Sequence, residues 1–185
     1  MSDEQNLKDH QVLLVGDKII LRDFRLEDIT QDYIDWMNDP VVVQFTESRF
    51  HPHSIESISD FVEQCRRSPC DLLLGIFSEN DGLHLGNIKL GPINSYHRIA
   101  DIGLIVGRKT HWGKGVASEA IALVRDYAFQ GLALHKVTAS FYEGNTGSEK
   151  AFLKADFVRE GVRNMHVKYE DRWMNVIELG CINAK

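Results

Sequence analysis

The sequence contains no long hydrophobic run. Its longest apolar stretches, such as LLLGIF, are far shorter than the roughly 20 residues that a membrane-spanning helix requires. The first ten residues, MSDEQNLKDH, are polar and lack the apolar core of a signal peptide. These two absences predict a cytoplasmic protein with no membrane partner.

Cysteine is also scarce. Cys65, Cys70 and Cys181 form no CxxC pair and leave an odd count, so we interpret all three as reduced structural residues. The histidines show no spacing that is typical of a metal site. The sequence therefore predicts an activity that uses no metal ion.

Positive charge is in deficit. The chain has 21 Lys and Arg residues against 27 Asp and Glu residues, which gives a net charge of −6. Proteins that bind nucleic acid usually need a basic face, so this balance argues against a nucleic acid partner. A mildly acidic chain is instead compatible with a cationic or amine-bearing partner.

Proline is rare, with four residues, and no repeat, linker or low-complexity tract interrupts the chain. A length of 185 residues suits one domain. We expect residues 1–17 to form a polar lead-in and residues 18–185 to form that domain. The sequence leaves open whether the protein is a monomer or a homodimer.

Hydrophobic periodicity predicts seven strands and four helices in the order β, α, α, β, β, β, α, β, α, β, β. The predicted strands are residues 18–24, 71–78, 84–93, 98–106, 135–142, 157–169 and 172–180, and the predicted helices are residues 25–37, 54–65, 114–130 and 145–155. This mixture indicates an α/β (α+β) fold, in which helices cover both faces of a largely antiparallel sheet.

The stretch THWGKGVASEAIALVRDYAF, from Thr110 to Phe129, places two glycines directly before a strongly helical pattern. A helix N-terminus offers unpaired backbone N–H groups and partial positive charge, and glycine lets a ligand approach the main chain. The pattern favours a phosphate or pyrophosphate site, with a purely structural turn as the alternative. Gly113 and Gly115 fit neither the GxxxxGK-[ST] loop nor the GxGxxG motif.

The same stretch resembles the acyl-CoA signature Q/R-x-x-G-x-G/A of the GNAT superfamily of acyl-CoA N-acyltransferases, with Gly113 and Gly115 as its glycines. Asn145 and Ser148, within LHKVTASFYEGNTGSEKAFLKADF, match the N-x-x-S of one branch. That branch includes ribosomal-protein N-terminal acetyltransferases and small-amine and amino-sugar acetyltransferases. The closing REGVRNMHVKYEDRWMNVIELG is similar to the C-terminal hairpin of that branch, so the resemblance covers about residues 18–180.

Three positions depart from the family pattern. Thr110 stands where Gln or Arg is usual, and Asp156 stands where relatives usually have Gly. We expect a left-handed backbone at Asp156, because Asp tolerates that region better than most residues. Phe152 occupies the position where many members carry a Tyr thought to protonate the departing thiolate. Another group or water must then supply that proton.

The resemblance implies acetyl-CoA as co-substrate and direct transfer of its acetyl group to a primary amine. It further implies that a splayed strand polarises the thioester and that the glycine turn holds the pyrophosphate. The cofactor-binding residues implied in this way are Leu104, Ile105, Val106, His111, Trp112, Gly113, Lys114, Gly115, Val116, Ala117, Asn145 and Ser148.

Three residues are candidates for moving protons in such a reaction. Asp101 begins an apolar strand and is the first candidate base, with a strand-edge charge paired to Arg98 as the alternative. Glu143 ends the next strand and is the second candidate base, with a solvated turn residue as the alternative. Ser148 is the candidate acid, or else an ordinary residue of the first helical turn.

The segment QFTESRF lies between the first two predicted helices, where the resemblance places the acceptor site. Glu47 can pair with an ammonium group and Arg49 with a carboxylate or phosphate, although both also suit a solvated loop. We expect a small amine or a nucleotide-linked amino sugar as acceptor, with a protein N-terminus as the alternative. A non-catalytic acetyl-CoA sensor is a second alternative, because Thr110 and Phe152 depart from the pattern.

Overall fold

A computed structural model of the chain describes residues 11–184. Its strands are β1 (Leu13–Val15), β2 (Ile19–Asp23), β3 (Leu72–Ser78), β4 (His84–Leu90), β5 (Ile99–Val106), β6 (Lys136–Tyr142), β7 (Val158–Tyr169) and β8 (Arg172–Ile182). Its α-helices are α1 (Gln31–Asn38), α2 (Pro40–Val43), α3 (Ile55–Arg67), α4 (Val116–Gln130) and α5 (Thr146–Lys154). Short 3₁₀ helices lie at Leu26–Asp28, Glu47–Phe50 and Lys109–His111.

The strands form one eight-stranded sheet in the order β1-β2-β3-β4-β5-β6-β8-β7. Neighbouring strands are antiparallel except β5 and β6, which run parallel and are joined through α4. A parallel pair needs a long crossover connection of this kind. The predicted mixed, largely antiparallel fold is confirmed, with one strand and one helix more than expected.

Two hydrophobic cores cover opposite faces of the sheet. The larger core lies under α4 and α5 and includes Ile121, Val124 and Phe152. The smaller core lies under α1, α2 and α3. Side chains alternate between the two faces along a strand, and in β5 Ile102 lies in the larger core while Ile105 packs against the smaller one. Residues 99, 101, 103 and 105 therefore face the side of α1–α3.

Side-chain caps define where two of the helices begin. The Ser54 hydroxyl accepts a hydrogen bond from the Ser57 amide at 3.3 Å in front of α3. The Asn145 side-chain oxygen accepts one from the Ser148 amide at 3.1 Å in front of α5. Each bond satisfies an amide that the helix leaves unpaired, so both predicted N-caps are confirmed.

The sheet begins before the domain boundary that we expected at residue 18. Leu13–Val15 pairs antiparallel with β2, and Val12 beside it is 4% exposed. Three residues are too few to show the alternation by which a strand is recognised in a sequence. Residues 11–17 thus belong to the sheet region, and the remainder of the predicted lead-in, residues 1–10, lies outside the described residues.

The predicted helix over residues 25–37 is wrong in its first half. A 3₁₀ turn at Leu26–Asp28 is separated from α1 by Ile29 and Thr30, whose backbones are extended. Pro40, expected to end this helix, instead opens α2, because proline suits the first position of a helix. The apolar spacing of the segment was real, but it spans two elements.

Candidate active site

The sheet opens between β5 and β6. Within the described chain these strands pair only where Ile99–Asp101 faces residues 136–138. Beyond that point β5 stays paired with β4 as far as Val106, while β6 stays paired with β8 as far as Tyr142. The two strands therefore diverge after Asp101 and leave a wedge, which we call the strand gap.

The backbone of β5 supplies one wall of the strand gap. The Asp101 carbonyl accepts a hydrogen bond from the Gly91 amide at 2.8 Å, on the side of β4. Because backbone groups alternate in direction along a strand, the amides of Leu104 and Val106 point the other way, into the gap. The amide of Ile105 points toward β4. Two of the three residues expected to polarise the thioester by their backbones are thus oriented to do so.

The glycine turn lies at the wide end of the strand gap. Gly113 and Gly115 have φ angles of 73° and 90°, in the left-handed region that glycine reaches without strain. The helix therefore starts at Val116, two residues later than predicted. A Cβ atom at Gly113 would meet no atom within 4 Å, so the backbone there is open to a ligand.

Unpaired amides and positive charge meet at this turn. Among the described residues, the amides of Gly113, Gly115, Val116 and Ala117 have no hydrogen-bond acceptor. The Lys18 ammonium donates to the Lys114 carbonyl at 3.1 Å and so reaches the turn from just before the start of β2, 96 residues away in the sequence. We did not anticipate Lys18, because no sequence pattern links it to the glycines. The arrangement is a site for an anion such as pyrophosphate.

Two further predicted cofactor residues adjoin the turn. The Trp112 indole nitrogen donates to the Val106 carbonyl at 2.7 Å, which ties the turn to the end of β5. His111 lies within hydrogen-bond distance of the Thr110 hydroxyl, at 3.2 Å from its Nδ1 atom. Lys114 is exposed beside them. The cofactor residues 111–117 thus form one continuous rim.

Asp101 lies at the apex of the strand gap, on the side of α1–α3. Its Oδ1 atom accepts a hydrogen bond from the Thr138 hydroxyl at 2.8 Å, and no bond to Arg98 exists among the described residues. Its Oδ2 atom has no hydrogen-bond partner in that part of the chain. Burial raises the pKa of the Asp101 carboxyl, against a smaller lowering by the Thr138 hydrogen bond and by the charges of Lys89 and Arg163. The group combines partial burial with one uncommitted oxygen.

Glu143, the other candidate base, lies in a different setting. Its side chain is exposed at the end of β6, and its Oε2 atom accepts a hydrogen bond from the side-chain amide (Nδ2) of Asn175 at 3.0 Å. It borders an open cavity of about 430 Å³. The residues lining this cavity are Phe45, Glu143, Gly144, Tyr169, Arg172, Trp173, Met174 and Asn175. Glu143 is therefore placed at the outer rim rather than at the apex.

Helix α5 carries the candidate acid, Ser148, and also Phe152, which stands where many family members have a tyrosine. Ser148 is half-buried, and its hydroxyl has no partner among the described residues, since only its amide is engaged, by Asn145. Phe152 is 2% exposed and packs edge-to-face on Phe157 with ring centroids 5.0 Å apart. Phe152 thus fills the core. Asp156 has a φ angle of 63°, so the left-handed backbone expected there is confirmed.

Glu47 and Arg49 are joined by a residue that the sequence analysis missed. The Tyr142 hydroxyl donates to the Glu47 carboxylate and accepts from the Arg49 guanidinium at 3.0 Å. Arg49 also donates to the carbonyls of Thr46 at 2.7 Å and Lys168 at 2.9 Å. Burial and the Glu47 hydrogen bond raise the pKa of Tyr142, while Arg49 lowers it to a smaller extent.

Arg49, for which we expected either a carboxylate or phosphate partner or a solvated loop position, thus hydrogen-bonds to Thr46, Tyr142 and Lys168. The only sequence signal for Tyr142 is its spacing of four from Thr138, which places both side chains on the face of β6 that Asp101 shares. We call Glu47, Arg49 and Tyr142 the acceptor-side triad.

No group of three or more His, Cys, Asp or Glu residues within residues 11–184 is placed to hold a metal ion. No helix in the same range combines the length and the apolar character needed to cross a membrane.

Known proteins resemble this chain over most of its length. The family model of the acetyltransferase (GNAT) domain matches residues 18–158. Probable N-acetyltransferase YjcK of Bacillus subtilis (strain 168) is 36% identical over 110 residues, which cover 59% of this chain and 60% of that protein. Spermidine N(1)-acetyltransferase of Escherichia coli (strain K12) is 31% identical over 104 residues, which cover 56% of this chain and 55% of that protein.

Solved structures share the fold over nearly the whole chain. Spermidine N-acetyltransferase from Vibrio cholerae, in complex with CoA and spermine, superposes with a TM-score of 0.81 at 20% identity, over 92% of this chain and 98% of that one. Mycobacterium smegmatis RimJ, in complex with CoA-disulfide, gives a TM-score of 0.78 at 20% identity, over 96% and 88%. With the family model matching more than half of its length, the chain belongs to the GNAT acetyltransferase family.

Proposed function

We propose that this chain is an acetyl-CoA-dependent N-acetyltransferase that acetylates the primary amine of a small molecule by direct attack. The observation that carries the proposal is the strand gap. Two backbone amides line it, one partly buried carboxylate stands at its apex, and an open glycine turn with unpaired amides lies at its wide end.

The described residues fit acetyl-CoA. The unpaired amides at residues 113 and 115–117, with the Lys18 and Lys114 side chains, would hold the pyrophosphate, and the amides of Leu104 and Val106 would hold the arm that enters the gap. Asn145 would add a contact from the start of α5. When bound, the cofactor supplies the acetyl group as an activated thioester. An amide directed at the thioester oxygen stabilises the negative charge that develops there.

Asp101 takes the amine's proton, directly or through a water molecule. An amine with a pKa of about 8 to 10 is mostly protonated at pH 7 and cannot attack until it loses that proton. Asp101 has an uncommitted oxygen at the apex of the gap, and its raised pKa makes it a better proton acceptor than an ordinary carboxylate. Glu143 is less suited, because it is exposed at the rim and already bound to Asn175.

Ser148 supplies a proton to the departing thiolate, directly or through water. Its hydroxyl is uncommitted, and α5 starts immediately beyond the end of β6. Phe152 has no proton to give and is packed in the core. Direct attack needs no acyl-enzyme, so the three cysteines have no role in the transfer.

A small amine is a better fit than a nucleotide-linked amino sugar. Spermidine, a small amine, is the named substrate of several relatives. Three basic side chains that could bind the phosphates of a nucleotide on this side of the sheet are already engaged: Arg49 in the acceptor-side triad, Lys89 with Asp71 at 2.9 Å and Arg163 with Glu178 at 2.7 Å.

Two measurements test the proposal. Acetyl-CoA at 100 times its dissociation constant should stabilise the fold by about 2.7 kcal/mol, which raises Tm by roughly 5 to 10 °C for a chain of this size. Thiol release from acetyl-CoA is then followed with spermidine, simple alkyl amines, a nucleotide-linked amino sugar and a peptide with a free N-terminus.

We expect a Tm shift, and thiol release with at least one of the small amines. Release only with the peptide would assign the protein N-terminus as acceptor. A Tm shift without release from any amine would assign a sensor, and no shift at millimolar acetyl-CoA would overturn the acyl-CoA proposal itself.

A further inference from the structure

Gly103 occupies an unusual place in the sheet. It lies in the middle of β5, between Asp101 and Ile105 on the face toward α1–α3, yet it is exposed. On one side Gly103 pairs with Lys89 of β4. On its other side is the strand gap, because β5 and β6 are no longer paired at this level. A central strand thus presents bare backbone beside the candidate base.

Neither backbone conformation nor crowding explains a glycine at this position. Gly103 is not among the glycines with positive φ, so its backbone is one that any residue adopts. A Cβ atom at Gly86 would lie 2.1 Å from the Ile105 carbonyl oxygen, and one at Gly107 would lie 2.1 Å from the Trp36 ring. A Cβ atom at Gly103 would meet no atom within 4 Å.

The neighbours of Gly103 leave that space empty. Lys89, directly across in β4, has the longest side chain nearby, and its ammonium group is held by Asp71 at 2.9 Å. Asp101 is held by Thr138 at 2.8 Å. A glycine inside a strand that is not required by the fold marks a place where a ligand approaches the backbone.

We propose that Gly103 is the specificity-determining floor of the acceptor site, an inference that rests on the proposed function. The acceptor amine crosses Gly103 on the α1–α3 side to reach the apex of the strand gap, and its carbon atoms next to the nitrogen fill the space that a side chain would take. Asp101, two residues away on the same face and roughly 7 Å along the strand, then meets the amine. The width of the acceptor beside its nitrogen is set at this residue.

The test compares Gly103→Ala and Gly103→Val with the parent. The amines are a linear primary amine and one that is branched at the carbon bearing the nitrogen. Misplacing a substrate by about 1 Å can cost about 10²-fold in rate, so Gly103→Val should lower kcat/KM by about that factor. Gly103→Ala should lower it less, and both should lose more activity with the branched amine. Tm should not fall below the parent value, because a strand-interior glycine is itself slightly destabilising, and the Tm shift given by acetyl-CoA should stay at the parent value.

Gly161→Ala is the matched control. It adds the same methyl group in β7, three strands and roughly 14 Å from β5, where the new atom would meet only the end of the Glu178 side chain. It should leave kcat/KM for both amines unchanged.

The outcomes separate this inference from the proposed function. If the parent acetylates amines and both Gly103 variants match its kcat/KM, Gly103 is not the acceptor floor and the proposed function stands. An equal loss with Gly161→Ala would also overturn the inference. If Gly103→Val does not fold, Gly103→Ala decides, because its added methyl meets no atom. If none of the tested amines causes the parent to release thiol from acetyl-CoA, both proposals fall together.

Discussion

The cofactor end of the site, at the glycine turn, and the acceptor end, on the side of α1–α3, are built in different ways. At the cofactor end, one short segment, residues 113–117, provides the anion site mainly through its backbone. At the acceptor end, the site depends on side chains from separate parts of the chain: Glu47 and Arg49 before α3, Asp101 at the apex of the strand gap, and Tyr142 at the far end of β6. The first end is a matter of local conformation, and the second is a matter of tertiary packing.

This difference predicts different responses to mutation. A backbone site tolerates changes of neighbouring side chains but fails when the left-handed turn is blocked or strained. A site made of side chains can lose its function when a substitution removes a single oxygen atom, while the fold persists. Substitutions at the cofactor end should therefore act on acetyl-CoA affinity, and those at the acceptor end on the amine and on kcat.

Asp101→Asn should have the largest effect. Losing the base should lower kcat by about 10²-fold to 10⁴-fold, and the loss should shrink at high pH, where the amine deprotonates unaided. A pH–rate profile with one accepted amine measures this, and Glu143→Gln is the matched control. A deeper loss in the Glu143→Gln variant would move the base to the rim of the gap.

The Asp101→Asn variant should also be more stable than the parent at neutral pH. Burial raises the pKa of Asp101, so the folded protein holds its proton more tightly than the unfolded chain does. The contribution of Asp101 to the free energy of unfolding is therefore greatest below the unfolded pKa of about 3.9, and it is lost as pH rises through the folded pKa. Urea unfolding at pH 7 should give Asp101→Asn a higher free energy of unfolding than the parent, and this difference should vanish toward pH 4.

Gly115 tests the backbone end with two substitutions. Gly115→Val places a β-branched residue at a φ of 90°, which should cost about 1 to 2 kcal/mol and lower Tm by roughly 2 to 8 °C. Gly115→Asn tolerates that conformation better. Both side chains should weaken acetyl-CoA binding by about 10-fold to 100-fold, the cost of one lost hydrogen bond to a charged group. Parent-like affinity in the Asn variant would mean that only backbone strain matters at this turn.

Tyr142→Phe tests the acceptor-side triad. It removes the hydroxyl that binds Glu47 and Arg49, while Arg49 keeps its bonds to Thr46 and Lys168. We expect kcat/KM for the amine to fall about tenfold, since one hydrogen bond to a charged group is lost, with acetyl-CoA affinity unchanged.

Glu47→Gln is the companion to that variant. Its amide oxygen can still accept from Tyr142, so the triad persists without its negative charge. A raised KM for the amine at an unchanged Tm would assign Glu47 to ammonium binding. An unchanged KM in both variants would restrict the triad to a structural role.

The same contrast explains what could be predicted from the sequence. The glycine turn and the Asn145 cap are local patterns, so their residue types alone revealed them. Tyr142 and Glu47 are 95 residues apart, and no spacing rule connects them. The open space at Gly103 is likewise a property of what the neighbours leave empty. Local conformation is encoded in adjacent residues, whereas convergence of side chains requires the packed fold.

Ser148→Ala should have the smallest effect on kcat. It tests a residue in the first turn of α5, for which both a cofactor contact and a catalytic role are expected. The cap of α5 uses the Ser148 amide, which alanine keeps, so Tm should not change. The lost hydroxyl should lower kcat by less than the roughly 10²-fold typical of a positioned acid, because water can replace it. Since the group acts on thiolate departure, higher pH should not restore the rate, in contrast to Asp101→Asn. A defect in Ser148→Ala that disappears at high pH would instead place Ser148 with the base, and an unchanged profile would leave thiolate protonation to water.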